Sequence, residues 1–396
     1  MTPIRVVLVM PEPPLPFGHA SARWYYLLLK GMTEKGYRVT AFSAATRREE
    51  IDAASDLFPS PTYDLHCYQA RRRSGPKSKL ASLLKPCSYI FAEEAHRDLA
   101  ACLHGHVDVL HLEQVWAGWL AREHRAKSIL HVHNLWSVDL SQSVSAKPLD
   151  WLKRKRLLQA EREIVKSFLN VCCCSSRLKS EIKNLNASAH IDEIPAALDP
   201  SVYPFLPDRQ RTKRPTIGLI GNMTWEPTYS AAIRLLTKLW PPIKAAIPDA
   251  TIQIVGWGAK SRLTEFADLP GVTIEENVPE IQPYFEKSAI LLYAPSRGTG
   301  MKIKVLEALA YGVPVVTTTE GIEGIPAIDG IHAGVSDDDE GLIKRSIGLL
   351  KDAGLQNRQR LNGRNLLETE CSPRGVVNRM DPIYRRISAK PPEGLC

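Results

Sequence analysis

Long apolar runs are missing from this chain of 396 residues: none reaches the about 18 residues that a membrane-spanning helix needs. The N-terminus, MTPIRVVLVM, also lacks a charged leader followed by an apolar stretch and a small-residue cleavage site. It runs directly into a strand-like segment, so a cytoplasmic location is expected. Paired cysteine motifs are lacking as well. The eight cysteines are scattered, no two C-x-x-C motifs stand at zinc spacing, and Cys172, Cys173 and Cys174 are consecutive. Neighbours in a strand point to opposite faces and do not pair with one another, so these three read as reduced thiols packed as small apolar groups. No G-x-G-x-x-G fingerprint occurs, which sets aside an NAD-dependent dehydrogenase.

What is present begins with charge. The net charge of +8 is densest at Arg71, Arg72, Arg73, Lys77, Lys79 and Lys85, and again at Lys153, Arg154, Lys155 and Arg156 behind Trp151 and Leu152. Basic residues beside apolar ones suit a peripheral contact with an anionic membrane at its inner face, and equally a solvated helix face. They are not interleaved with a reading motif, so nucleic acid is not an expected partner. Asp337, Asp338, Asp339 and Glu340 invite a metal reading, but Ser336 ahead of them reads as a helix N-cap with acids in the first turn. No metal ligand set is assigned.

A chain of this length exceeds one core, and the apolar patterning divides it in two. In the first half, Ile4 to Met10 reads as a strand, a loop ends in Gly18 and His19, Ala20 to Glu34 reads as a helix, and Tyr37 to Ser43 as a second strand. This is the opening unit of a doubly wound parallel sheet, and its glycine loop can bring backbone N–H groups toward a ligand. Further strands are expected at Thr62 to Tyr68, Val107 to Glu113, Lys127 to Asn134 and Asn170 to Ser175, with helical material from Lys79 to His104 and from Pro148 to Phe168. His131 and His133 fall on one side of their strand. A strand histidine is commonly structural, yet the carboxyl end of a parallel strand is also where such sheets place ligands. Pro200, Pro204 and Pro207 mark a linker over about 198–214.

In the second half, Thr216 to Ile220 is a strand running into Gly221 and Asn222, with a helix from about Thr228 to Ala246. The stretch that organises the reading is 295–325, PSRGTGMKIKVLEALAYGVPVVTTTEGIEGI. A strand, Ser288 to Pro295, meets a turn with Gly298 and Gly300, and Met301 to Tyr311 has helical spacing. Gly312 stands at the C′ position, Pro314 prevents continuation, and VVTTT is the next parallel strand. Free N–H groups at such a helix start favour an anion. Lys304 and Glu307 share a helix face, and Lys302 does not. A cation for diphosphate and a carboxylate for ribose hydroxyls suit a nucleotide, while an ordinary surface ion pair has the same spacing.

GTGMKIKVLEALAYGVPVVTTTEGIEG resembles the nucleotide-sugar-binding segment of retaining glycosyltransferases with the GT-B architecture, in the large family that contains sucrose synthases and bacterial mannosyltransferases. The nearest pattern is the branch G-x-G-x-[KR]-x-K-x-L-E-A. IGLIGNMTWEPTYSAAIRLL, IQIVGWGA and GVTIEENVPEIQPYFEKSAILLYAP follow the family's order and spacing, so the resemblance covers about 215–388 well and the first half more loosely. It implies two α/β, Rossmann-like, doubly wound domains facing a central cleft: 1–198 on the acceptor side, 215–372 for the nucleotide sugar, and 373–396 as a helix crossing back plus a tail.

The implied activity is transfer of a hexose-type sugar from a nucleoside diphosphate with retention at the anomeric carbon, needing no metal or other cofactor. The acceptor, a glycan, lipid-linked sugar or small molecule, is not specified. The resemblance places Lys304, Lys302 and Arg297 on the diphosphate, Glu307 on the ribose, and Gly298, Thr299, Gly300, Met301, Gly221 and Asn222 around the donor. It places His133 by the transferred sugar, with Asn134, Gly18 and His19 on the acceptor and sugar side; Glu113, at the end of the neighbouring strand, is a further candidate for sugar or acceptor contact.

Two departures stand out. Thr299 replaces the first of the family's paired glutamates, and Asn222, Thr224, Trp225 and Glu226 replace its arginine and lysine after the strand. A nucleotide-sugar epimerase or hydrolase of the same fold, or a non-catalytic nucleotide-sugar-binding protein, are the alternatives. The first is distinguished by acceptor-independent chemistry, the second by nucleotide protection without turnover.

Overall fold

A computed structural model of the chain describes residues 3–18, 20–70, 84–139, 148–206, 214–296 and 302–389. The chain forms two compact units, Met1–Pro195 with Pro373–Cys396, and Ala196–Gly298 with Lys302–Ser372. Each is built on a parallel sheet.

In the first unit the strands are β1 Arg5–Met10, β2 Arg38–Ala45, β3 Asp64–Gln69, β4 Val109–Glu113, β5 Ser128–Val132, β6 Asn170–Cys173 and β7 His190–Glu193, in the order β3-β2-β1-β4-β5-β6-β7. The helices are α1 Ala20–Glu34, α2 Arg48–Leu57, α3 Glu93–Leu103, α4 Trp136–Asp139, α5 Pro148–Lys166 and α6 Ser176–Leu185. Central strands such as VVLVM of β1 are buried along their length because parallel sheets are covered on both faces. Cys172, Cys173 and Cys174 are buried free thiols, and burial pushes the Cys173 thiol up to about 12.

The second unit has β8 Thr216–Ile220, β9 Thr251–Val255, β10 Val272–Glu275, β11 Ile290–Tyr293, β12 Val315–Thr317 and β13 Gly334–Val335, in the order β10-β9-β8-β11-β12-β13. Its helices are α7 Glu226–Arg234, α8 Trp240–Ala246, α9 Ala259–Arg262, α10 Gln282–Lys287, α11 Ile303–Tyr311, α12 Asp339–Lys351 and α13 Ala353–Glu370. The last helix, α14 Pro373–Ser388, packs on α1 in the first unit.

In each sheet the strand order reverses once near the middle, between β1 and β4 and between β8 and β11. Loops leaving the two strands at such a reversal run to opposite faces and open a crevice at the carboxyl ends, where open α/β sheets bind ligands.

Local departures from the sequence reading have physical causes. Helical material was expected from Lys79 to His104; its first part, 79–83, lies outside the described residues, and beyond Leu84 it is interrupted at Pro86 and Cys87, the latter at φ +59°, before α3 begins at Glu93. The single helix expected over Thr228 to Ala246 is α7 and α8 joined by a π turn, Leu235–Leu239, ahead of Pro241 and Pro242. Asp338, not Ser336, caps α12: its carboxylate accepts from the Gly341 N–H at 2.6 Å, and Ser336 donates to Asp338. Gly312 ends α11 at φ +68°, a conformation that favours glycine, and a β-carbon there would stand 2.5 Å from the Phe205 ring.

Candidate functional site

In the second unit, the reversal point brings Gly221 and Lys304 together. Gly221 follows directly on β8, and Lys304 lies in the first turn of α11, which follows β11. A β-carbon on Gly221 would lie 2.7 Å from Lys304 Cε, so only a glycine leaves room for the lysine stem. The Lys304 ammonium stands 4.4 Å from the centre of the Tyr293 ring at the end of β11. Lys302 is the N-cap residue of α11 and is 5% exposed; Glu307, one turn along, is 6% exposed.

Burial first, and then the neighbouring charge of Lys302, lower the Lys304 pKa to about 8, with Glu307 pulling the other way. Two desolvated ammonium groups held near one carboxylate make a place where an anion restores balance. α11 begins at Ile303, two residues later than the Met301 of the sequence reading, so Lys302 is the cap at the helix entrance rather than a residue of its first turn. Asn222 is exposed, and its Oδ1 accepts from the Thr224 N–H at 2.8 Å and the Thr224 hydroxyl at 2.7 Å. That bond shapes the turn after β8. Arg297, Gly298, Thr299, Gly300 and Met301 lie outside the described residues, as does His19.

In the first unit, alternation and register assemble a buried polar cluster. His111 and Glu113 share one face of β4; His131 is in β5 and His133 follows directly after its end, on the same side. The parallel pairing sets Glu113 opposite His131. Glu113 is 0% exposed. Its Oε2 accepts from the Trp24 indole of α1 at 3.1 Å and lies 2.5 Å from His133 Nε2. Its Oε1 lies 3.2 Å from His131 Nδ1 and 3.0 Å from His111 Nε2. On the far side, His111 Nδ1 meets the Tyr384 hydroxyl of α14 at 2.6 Å. The Trp24 ring stands edge-on to both His131 and His133.

Burial alone would raise the Glu113 pKa. The imidazoles of His131, His133 and His111 outweigh it and hold the carboxyl well below the usual range. Burial lowers the His133 pKa in spite of Glu113.

The expected contact of Glu113 with a sugar or acceptor is therefore revised: its oxygens face protein donors and have no exposed surface. Asn134 is likewise engaged, donating to Asp139 at 3.0 Å across α4. Gly18 is exposed at φ +84° with open space around it. The signal for the cluster was in the sequence as H-x-E and H-x-H on neighbouring strands. His111, Glu113 and His131 are also the one group among the described residues with three potential metal-ligating atoms within 4.8 Å of one another. The Glu113 oxygens already face four protein groups there, which accounts for the arrangement without a cation.

A cavity of about 770 Å³ at the carboxyl ends of β11 and β12 was not anticipated; Tyr229, Arg234, Ser296, Thr319, Glu320 and Asp337 line it. Arg234 is committed within it, to Asp339 at 2.7 Å and to the Asp337 carbonyl at 2.7 Å.

Residues 214–352 match the family described as Glycosyl transferases group 1, and residues 21–202 match Glycosyltransferase Family 4. No curated protein matches the sequence. Among solved structures, a sucrose-phosphate synthase from Thermosynechococcus elongatus superposes with a TM-score of 0.68 at 16% identity, covering 98% of this chain and 99% of that one. Anabaena HepE, solved in complex with UDP and glucose, gives 0.63 at 12% identity, covering 98% and 100%. A glycosyltransferase from Rickettsia africae gives 0.65 at 14% identity, covering 99% and 100%.

Proposed function

The chain belongs to the group 1 glycosyltransferases of GT-B fold, and from that premise we propose that it transfers a sugar from a nucleoside diphosphate to an acceptor with retention of configuration. The observation that carries the donor reading is the meeting of Lys304 with Gly221 where the second sheet reverses, beside Lys302 and Glu307. The departing diphosphate gathers charge as the glycosidic bond lengthens. Lys304 and Lys302, with the N–H groups at the start of α11, are prearranged to meet that charge, which is the term that matters most in such a step. Glu307 accepts from the ribose hydroxyls. His133 contacts the transferred sugar, and the leaving diphosphate takes the acceptor proton on the face where the new bond forms. These groups supply the cationic charge themselves, so transfer proceeds without a metal and survives chelation by EDTA.

We place the acceptor at a membrane surface. Trp151 and Leu152, 56% and 43% exposed, stand on α5 beside exposed Lys153, Lys155 and Arg156, with the Lys155 ammonium 5.1 Å from the Trp151 ring centre. Aromatic and basic side chains in that mixture suit an anionic headgroup layer, and a lipid-linked sugar would be the acceptor there. The contact we propose is peripheral; no helix among the described residues is long and apolar enough to cross a membrane.

The test begins with thermal shifts against a panel of nucleoside diphosphates and their sugars, since a ligand that binds only the folded state raises its melting temperature. UDP-glucose leads the panel. Against the donor so found, Lys304→Ala loses about 10²–10³ in transfer rate while remaining folded, and Glu307→Gln raises the donor KM. Wild-type turnover in Lys304→Ala would remove the assignment.

A further inference from the structure

We propose that Gln114 is an acceptor-binding residue: with the Glu12 carboxylate and the Phe17 ring it forms a subsite for the sugar that receives the transferred group. The inference rests on the glycosyltransferase reading, and adds the residues that select the acceptor and the chemical class they select.

Gln114 stands out by its backbone. It follows β4 directly at φ +65° and ψ 154°, a region that only glycine occupies without strain. The conformation is held from both sides. The Gln114 N–H donates to the His131 carbonyl at 2.9 Å, and the Gln114 carbonyl accepts from the Ala117 N–H at 3.2 Å. Glycine would keep both bonds and relieve the strain. The chain carries a long polar side chain there instead, and strain of this kind gathers where a side chain is needed in a fixed place. Glu113 before it and Val115, Trp116 and Ala117 after it are buried, while Gln114 is half-buried, so it is the side chain of this stretch that a ligand can reach.

The position is the reversal point of the first sheet. Val9 of β1 pairs with Leu112 of β4, so the chain leaves the two strands side by side, with Glu12 beyond one and Gln114 beyond the other. Both bear on one group, the buried Tyr25 hydroxyl of α1: burial, Glu113 and Glu12 raise its pKa, and the Gln114 side chain acts against them. Glu12 also acts on His133. Glu12 is half-buried, and its Oε2 accepts from the Ser21 hydroxyl at 2.6 Å, which fixes the carboxylate. Phe17, farther along the same loop, is 56% exposed and precedes Gly18 at φ +84°.

These three groups match a sugar. A carboxylate accepts from hydroxyls, an amide both donates and accepts, and an aromatic ring covers the apolar C–H face of a pyranose. The Gln114 amide has an oxygen and two hydrogens, so one end can lie at Tyr25 while the other meets the ligand. An anionic group would be repelled by Glu12, so the sugar ring bound here carries no charge of its own.

The experiment uses the full-length protein and has two arms. In the first, Gln114→Gly is melted beside the wild type and is expected to gain about 2–4 °C, because glycine suits these dihedrals. A melting temperature equal to the wild type's or lower means that no strain is held at this position, and overturns the proposal.

In the second arm, turnover is followed with UDP-glucose, or with the nucleotide sugar that the thermal panel ranks first. The acceptors are the octyl glycosides of glucose, galactose, mannose and N-acetylglucosamine. The wild type is expected to glycosylate at least one of them. For that acceptor, Gln114→Gly and Gln114→Ala are expected to lose about tenfold or more in kcat/KM, carried by a higher acceptor KM, with the donor KM within about threefold of wild type. Glu12→Gln, which keeps the shape and loses the charge, is expected to lose as much, and Phe17→Ala to raise the acceptor KM.

An acceptor kcat/KM within about twofold of wild type in a folded Gln114→Ala protein overturns the proposal. So does a donor KM that rises as far as the acceptor KM, since Gln114 would then support the fold and not the acceptor. A wild type that hydrolyses the donor and glycosylates none of the octyl glycosides overturns the sugar subsite and leaves the donor site standing. A wild type that consumes no nucleotide sugar under any condition removes the glycosyltransferase reading, and the subsite falls with it.

Discussion

The stem of Lys304 fills the space that a side chain on Gly221 would need, with 2.7 Å between Lys304 Cε and the place of the missing β-carbon. Gly221→Ala therefore acts on the lysine. The ammonium must swing away from Tyr293, and donor affinity is expected to fall about tenfold, or about 1.4 kcal/mol. Backbone strain at φ +157° adds some loss of stability. Isothermal titration with the donor nucleotide checks this, and unchanged affinity in a folded Gly221→Ala protein would contradict it.

The same lysine predicts a pH dependence. Its folded pKa of about 8 lies below the 10.5 of a free lysine, because of burial and then Lys302. Between these values the unfolded chain holds a proton that the folded one has released, so this group adds stability as pH rises from about 8 toward 10.5. Donor binding runs the other way: above about pH 8 the free site loses its charge, and the nucleotide Kd rises by up to tenfold per unit. Lys304→Arg, whose guanidinium stays charged, is expected to hold Kd level over that range. A wild-type Kd that stays flat to about pH 10 would remove Lys304 from the diphosphate.

Membrane contact through α5 is testable by co-sedimentation with vesicles of phosphatidylserine and phosphatidylcholine. Binding should weaken as salt shortens the screening length, and each of Lys153, Lys155 and Arg156 changed to Ala should cost about 1 kcal/mol, close to fivefold. Trp151→Ala should weaken binding at all salt concentrations, since its part is apolar. Absence of binding at low salt ends the proposal.

Arg364 on α13 ties the segment after the first unit to the end of α11. Its guanidinium donates to the carbonyls of Pro200 at 2.9 Å, Tyr203 at 3.1 Å and Ala310 at 2.6 Å, and pairs with Glu368. Arg364→Ala leaves three carbonyls without this donor and is expected to lower stability by about 2–4 kcal/mol. Urea unfolding should show a lower midpoint at unchanged slope; an unchanged midpoint would mean that other donors replace the arginine.

Much of the fold was legible because its signals are local. α1 occupies the segment whose apolar spacing predicted it, β8 likewise, and Gly312 caps α11 as the sequence reading expected. The failures share a cause too. α2 was not foreseen because its segment, REEIDAASDL, buries only Ile51 and Ala54 and offers no stripe to read. The π turn at Leu235–Leu239 adds one residue per turn without changing residue type, so periodicity does not register it.

Glu113 was placed by its position at a strand end, which was right as geography and incomplete as chemistry. Its partners come from β4, β5 and α1, and only the strand register reveals that they meet. The meeting of Gly221 with Lys304 is of the same kind: each residue was picked from its own motif, but their contact depends on β8 and β11 being neighbours.

α14 has a consequence for synthesis. The helix follows the whole second unit in sequence, yet its Tyr384 hydroxyl reaches His111 of β4, its Asp381 accepts from Tyr37, and its Arg386 pairs with Asp192 at 2.6 Å. A ribosome emits the first sheet long before the helix that covers it. During that interval the side of α1 that α14 covers, including Gly31 and Met32, waits uncovered, and a fragment ending at Pro195 would keep it so permanently and tend to aggregate.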